Sequence, residues 1–329
     1  MATTSTFGAR ADCCFGWRVY AAAVATGAIL FASITVAVTT STVVQQDRKA
    51  GSCRCQVTKR FERSYDELLK LSARERRAST LKHLPWGVPI NAPTATNEHL
   101  LRQEHYIINH DEDLLVPTWV GYRLTAADLE TRRTRTQCFR SDPRLLLDAT
   151  GTCFDYVRSG FDRGHMVPNA DMTRSEAAMI NTYMFTNMAP QTPDFNQQIW
   201  AHLEDRVRDW AKEYGEIYVV TGAIFDQDGD GQRDLDQNAS HPKPGSPVAV
   251  PTHFYKLIAF EVSDTEIELM CFLLDQSVLS PPGNQRDDFL NDSMVDLDKI
   301  ESITGTDFFP EFDARTGATI FEFDEMWPF

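Results

Sequence analysis

The chain has 329 residues, 42% hydrophobic and 24% charged, with a formal net charge of -15. That length accommodates one large domain with appendages, and the ordinary composition excludes disorder as the default. The negative charge excludes a nucleic-acid binder that works by bulk positive charge. The charge is nevertheless uneven. Residues 118–176 carry 9 basic residues, all Arg, against 8 acidic ones, whereas residues 201–329 carry 9 basic and 27 acidic. A local arginine-rich face is therefore compatible with an acidic protein.

Val19 to Gln46 contains no charged residue. As a helix this run would rise roughly 42 Å, longer than the ~30 Å hydrocarbon core of a bilayer. Residues 1–46 read as a signal peptide or a retained membrane anchor, giving a secreted or membrane-anchored protein, with a mitochondrial presequence as the alternative. Basic residues flank the run on both sides, so the positive-inside rule sets no orientation. Cys13 and Cys14 beside the run are candidates for acylation if they face the cytosol.

Residues 47–84 read as a basic linker followed by one surface helix, Phe61 to Leu84, ended by Pro85, Gly87 and Pro89. Residues 85–329 form the folded domain. Tyr106–Asn109 and Thr118–Leu124 read as strands, the second placing Arg123 where it could face a cleft or solvent. In an exported chain Cys138 and Cys153 are the natural disulfide pair, closing a polar loop. Cys53 and Cys55 are too close for an easy mutual bridge. Cys271, in an apolar run, reads as a buried thiol.

Asp162-Arg163-Gly164-His165 puts a cation, a flexible residue and a titratable base side by side. Histidine can accept a proton near neutral pH, and attack on a phosphodiester needs such a base plus positive charge against the developing anion. Gly164 would let the backbone bend so that Arg163 and His165 face the same way. Alone, the tetrapeptide is weak evidence, since a single His is more often structural. Tyr183–Thr186 reads as a strand running into Asn187. Thr192 then suits a helix N-cap and Pro193 the first helical position. Phe195, Ile199, Leu203, Val207, Trp210 and Tyr214 mark one helical stripe that Gly215 ends. Asn196 lies beside the stripe and Glu204 eight residues on, about 80° around and roughly 12 Å up the axis, so the two occupy one flank. Asn196 is then the better direct metal ligand, Glu204 the better outer partner through water. A neutral amide oxygen with several waters suits magnesium. The bland readings are a helix-start Asn and a solvated Glu.

The run Phe161 to Pro168, then Thr186 to Gln191, Asn196-Gln197, Trp200 and Leu203-Glu204, resembles the DNA/RNA non-specific endonuclease family, which includes endonuclease G. Trp119 to Arg123, Ile217 to Gly222, Val250 to Lys256 and Thr304 to Phe309 are also similar to it, so the likeness covers about Pro85 to Pro310. The resemblance implies an α+β (mixed α/β) fold, a central antiparallel sheet with flanking helices and a ββα-metal finger as the active site. It implies His165 as general base, Asn196 as sole protein ligand of one hydrated magnesium (manganese substituting) and Glu204 holding the water shell. Arg163 and Arg123 would bind the scissile phosphate, and Asn187 would support the His165 region or the phosphate. DNA and RNA would be the substrates, yielding 5′-phosphorylated fragments. A homodimer is compatible with this reading.

Asp226, Asp228, Asp230 and Asp234 resemble the start of a calcium loop with Gly231 at its sixth position, but Gln237 stands where a bidentate Glu belongs. A structural calcium and a solvated acidic turn are the two readings. Phe254–Val262 and Ile267–Leu274 read as a hairpin of the core sheet. His253 lacks nearby partners and reads as structural. Met294–Ile303 reads as a short helix, and the acidic, aromatic tail from Pro310 carries no assignable mechanism. The sequence thus points to a metal-dependent nuclease. The rivals are an inactive nucleic-acid-binding or inhibitory protein on the same scaffold, and a phosphoesterase of small substrates. The second rival would need the several His/Asp ligands of a two-metal site, which this chain lacks.

Overall fold

Alternation of apolar residues in the middle of the chain builds a seven-stranded sheet, seen in a computed structural model that describes residues 55, 57–91, 97–131, 133–313, 318–323 and 325–327. The strands are β1 (Glu98–Arg102), β2 (Ile107–Asp111), β3 (Val116–Thr125), β6 (Glu216–Ile224), β7 (His253–Ser263), β8 (Glu266–Asp275) and β9 (Thr319–Glu322). Their order is β9-β8-β7-β6-β3-β2-β1. Every pair is antiparallel except β9 on β8, which is parallel. The missing numbers, β4 (Asp162–His165) and β5 (Met188–Gln191), form a separate two-stranded ribbon.

Both faces of the sheet are covered, as the near-continuous burial of β3 requires. On one face Val120, Tyr122 and Leu124 of β3 pack with Phe195, Ile199, Trp200, Leu203, Val207 and Trp210 of the long helix α3, whose regular part is Trp200–Tyr214. On the other, Trp119 and Ile107 pack with Leu84, Trp86, Phe308, Phe309 and Ile300. The run expected as one helix before Pro85 forms two, α1 (Lys59–Glu67) and α2 (Ala73–His83), because Ser72 starts a new one with a reciprocal cap to Glu75. Lys49–Phe329 form one compact unit that includes both.

The hairpin expected at the C-terminal end of the core is β7–β8, and the short helix after it is Leu297–Thr304. The aromatic tail is structural. Trp327 is buried against Trp210, Tyr214 and Phe260. Tyr183–Met184, expected in a strand, instead leads into a 3-10 turn, Phe185–Asn187, before β5.

Cys138 does not bond Cys153. It is bonded to Cys55, 83 residues earlier, and Cys153 is disulfide-bonded elsewhere. The two cysteines that flank the polar loop sit in different apolar clusters: Cys138 beside Tyr65, Met179 and Ile180, Cys153 against the main core. Cys271 is a buried free thiol, as its apolar run suggests. No helix among the described residues is long and apolar enough to cross a membrane, and the Val19–Gln46 run lies outside them.

Candidate active site

The ribbon and the helix that follows it make a ββα unit. Asp162 pairs with Gln191, Arg163 with Pro190, Gly164 with Ala189 and His165 with Met188. Thr192 then opens the helix, its Oγ1 accepting the Phe195 amide at 3.4 Å. Strand alternation puts Arg163 and His165 on one face of β4. Gly164 therefore is not a bend. It lies under the buried side chain of Gln191, and a Cβ there would come within 2.2 Å of it.

The first turns of the helix, Phe195–Ile199, are wide π-type turns before the regular helix begins at Trp200. A wide turn takes up about one extra residue. Eight residues from Asn196 to Glu204 then complete close to two turns, and the two side chains, already expected on one flank, come nearly into line. Both line a cleft of about 890 Å³ together with His165, Arg163, Arg133, Arg135, Arg206 and Arg208. The local arginine-rich surface permitted by the charge count is this cleft.

His165 packs edge-on against Tyr183, ring centroids 5.0 Å apart, and its Nε2 is buried with no hydrogen-bond partner. Burial, reinforced by Arg135 and Arg163, pushes the imidazole down to about 3, so it stands neutral with a free lone pair or N–H. Asp162 Oδ2 accepts from Asn196 Nδ2 at 2.8 Å and from Gln197 Nε2 at 2.7 Å. With its nitrogen so engaged, the Asn196 amide has its oxygen left as a donor to a cation. The donor set of one amide oxygen and one nearby carboxylate suits a hydrated hard divalent ion and not a zinc cage.

Glu204 lies above a buried charge network. Lys256, with no exposed surface, points to this face from β7, donates to Thr221 Oγ1 at 2.6 Å and holds its ammonium 4.5 Å from the Trp200 ring. Asp171 accepts from Tyr122 at 2.8 Å and from Arg208 at 2.9 Å. Burial raises the Glu204 carboxyl, which Lys256 and Arg208 pull back down; burial lowers Lys256, which Glu204 pulls back up.

Two expected roles fall differently. Asn187 is fully buried: its Oδ1 accepts the Val167 amide at 2.9 Å and its Nδ2 donates to Val167 O at 3.1 Å and Thr182 O at 3.0 Å. It braces the turn after His165 and has no face toward a phosphate. Arg123 is not brought to the cleft. Its neighbours Tyr122 and Leu124 point to the α3 face, so Arg123 points to the other, where it is ion-paired with Glu216 beside Tyr218. The second arginine next to His165 is Arg135, whose Nε donates to Tyr183 OH at 2.6 Å. The sequence reading missed it. The clustering of Arg133 and Arg135 just before Cys138 was the available signal.

Asp226, Asp228 and Asp230 bring carboxylate oxygens within 4.8 Å of one another. Asp234 does not join them; its carboxylate accepts the Gln227 amide. Asp226 already accepts the Asp230 and Gly231 amides at 3.1 Å each, as in a self-bonded turn.

The sequence pattern of the DNA/RNA non-specific endonuclease family matches residues 89–315. Nuclease C1 of Cunninghamella echinulata var. echinulata is 33% identical over 228 residues, covering 67% of this chain and 86% of the relative. The human protein named Endonuclease G, mitochondrial, is 32% identical over 222 residues, covering 67% of this chain and 72% of the relative. A crystal structure of the EndoG/EndoGI complex superposes with a TM-score of 0.60 at 27% identity, over 74% of this chain and 96% of the solved one. The chain belongs to the DNA/RNA non-specific endonuclease family and is a nuclease, a hydrolase acting on nucleic acids.

Proposed function

We propose that the cleft hydrolyses phosphodiester bonds of both DNA and RNA without reading sequence, with His165 as general base and one hydrated magnesium ion bound through Asn196. The observation that carries this reading is the buried, unpartnered Nε2 of His165 opening on an arginine-lined cleft that also holds Asn196 and Glu204. Asn196 would hold the ion, Asp162 fixes the Asn196 amide, and Glu204 would bind the ion's water shell. When bound, the ion supplies a Lewis acid that offsets charge on the leaving oxygen.

The protein's own residues do the rest. Arg163 and Arg135 clasp non-bridging phosphate oxygens and stabilise the negative charge that grows on them. Neutral His165 takes the proton of the attacking water at its free nitrogen. In the empty cleft burial first, and then the two guanidinium groups, hold down the basicity of His165. A bound phosphate offsets the guanidinium charge and so raises the basicity by that smaller part. Asn187 keeps the His165 turn rigid. Contacts to phosphate and not to base edges account for indifference to sequence.

Digestion of plasmid DNA and of RNA, with magnesium or with EDTA, tests the reading. His165→Ala should lower cleavage by roughly 10²–10⁴-fold with fold and duplex binding intact; wild-type rates from this variant would refute it. Asn196→Ala should move the magnesium requirement to much higher concentration, and an unchanged titration would remove Asn196 as ligand. As to compartment, the human relative is named mitochondrial, which supports the mitochondrial alternative for residues 1–46.

A further inference from the structure

The arm Cys55–Glu67 precedes the residues that match the family, yet it is fastened beside the cleft at two points. Cys55 is bonded to Cys138, and Asp66 Oδ1 accepts from Arg140 Nε at 3.2 Å and Nη2 at 3.1 Å. Cys138 is buried with Tyr65, Met179 and Ile180, and Val57 of the arm packs on that cluster. The residues on either side of Cys138 reach the site. Arg135 lines the cleft. The Phe139 ring carries the Arg163 guanidinium 4.2 Å from its centroid and packs edge-on against Tyr183 at 5.0 Å. The described residues from Thr131 to Phe139 form no helix or strand, so no backbone ladder fixes Arg133 and Arg135. Arg135 has one anchor of its own, its Nε bond to Tyr183 OH, and the path of the backbone that carries both arginines depends on the ends of the segment. Thr131 O accepts the Thr173 hydroxyl at 2.7 Å at one end, and the disulfide holds the other together with the backbone bridge from Arg140 to Met184.

We propose that the Cys55–Cys138 disulfide is a positioning element for substrate binding: it clamps segment 131–139 to the N-terminal arm so that Arg133 and Arg135 present their guanidinium groups to a polynucleotide backbone. This rests on the reading of the cleft as the nucleic-acid site. The clamp is reversible by thiols: two reductant thiols give up two electrons, the Cys55–Cys138 bond opens to two cysteine thiols, and the reductant leaves as a disulfide. Cys55 is half-buried and Cys138 fully buried, so Cys55 is the more accessible residue of the pair. Because a reductant also opens the bond to Cys153, substitution is the cleaner test.

The full chain carrying Cys55→Ala and Cys138→Ala is compared with the parent by fluorescence anisotropy of a labelled DNA duplex in EDTA, where no turnover occurs, across a salt series. Affinity should drop by about tenfold at low salt, and the slope of log Kd against log salt should shrink by about 1 to 2, since each lost phosphate contact removes about 0.9. With magnesium restored, kcat/KM should fall, with KM rising as ground-state phosphate contacts are lost and kcat falling as far as Arg135 is drawn from the reacting phosphate. A lower Tm with an unchanged salt slope would make the disulfide a stabiliser only and overturn the proposal. A parent that does not bind duplex would overturn the reading of the cleft, and the proposal with it. If the double variant does not fold, Asp66→Asn in the oxidised protein loosens the same clamp through Arg140. It should reduce the slope in the same direction by a smaller amount, and a slope equal to the parent's would overturn the proposal.

Discussion

His165 shows how one residue acquires its chemistry from neighbours. A histidine in water titrates near 6.5, and this one is held down to about 3 by burial and by Arg135 and Arg163. A base must be unprotonated to act, so rate is lost as pH falls through the base's pKa. The acid limb of kcat/KM reports the free enzyme and that of kcat the loaded one. Phosphate binding offsets the two arginines, so the kcat limb should lie at higher pH than the kcat/KM limb. Coincident limbs in a steady-state pH profile would show that substrate leaves the imidazole unaffected. The arginines separate in the same way. Arg135→Ala removes a charged contact to phosphate and should lower kcat/KM by roughly 10- to 100-fold. Arg123→Ala breaks a half-exposed pair with Glu216 on the opposite face and should leave kcat/KM within about twofold. Equal losses in the two variants would contradict the placement.

The ββα unit depends on two strands meeting closely and on the turn that follows. Gly164 allows the buried Gln191 side chain to cross the ribbon. Gly164→Ala forces that side chain away and should cost about 1–3 kcal/mol, read as a lower Tm, with activity falling further because Arg163 and His165 flank the substituted position. A variant with parental Tm and activity would show that the ribbon has room to spare. The wide turn after Thr192 is the second device. It aligns Asn196 with Glu204, which a regular helix would not do. Sequence spacing at 3.6 residues per turn already sets the two side chains on one flank, about 80° apart, and only the wide turn narrows that angle.

Across the whole molecule, buried histidines set the acid limit. His83 is pushed down to about 3 and His110 to about 4, in each case mainly by burial. Both are neutral in the fold and take up a proton near 6.5 when unfolded. Unfolding therefore binds protons, and stability falls as pH drops from about 6.5 toward 4. Tm measured from pH 7 to pH 4.5 should decline, and His110→Gln should flatten that decline; a slope independent of the substitution would assign the acid loss to other groups.

The amino-acid sequence by itself determined the chemical inventory and most of the elements. The long helical stripe from Phe195, the apolar hairpin after His253 and the run from Asp162 to His165 are local patterns, and local patterns are written in spacing. What only the tertiary structure decided are the relations across the chain. The parity of β3 turned Arg123 away, while packing against Tyr183 brought Arg135 in. Burial among Tyr65, Met179 and Ile180 paired Cys138 with Cys55 and not with Cys153, and β7 carried Lys256 beneath the α3 face. Strand parity and cysteine pairing depend on which surface each segment buries. That choice is made by the assembled core, where residues far apart in sequence compete for the same apolar space.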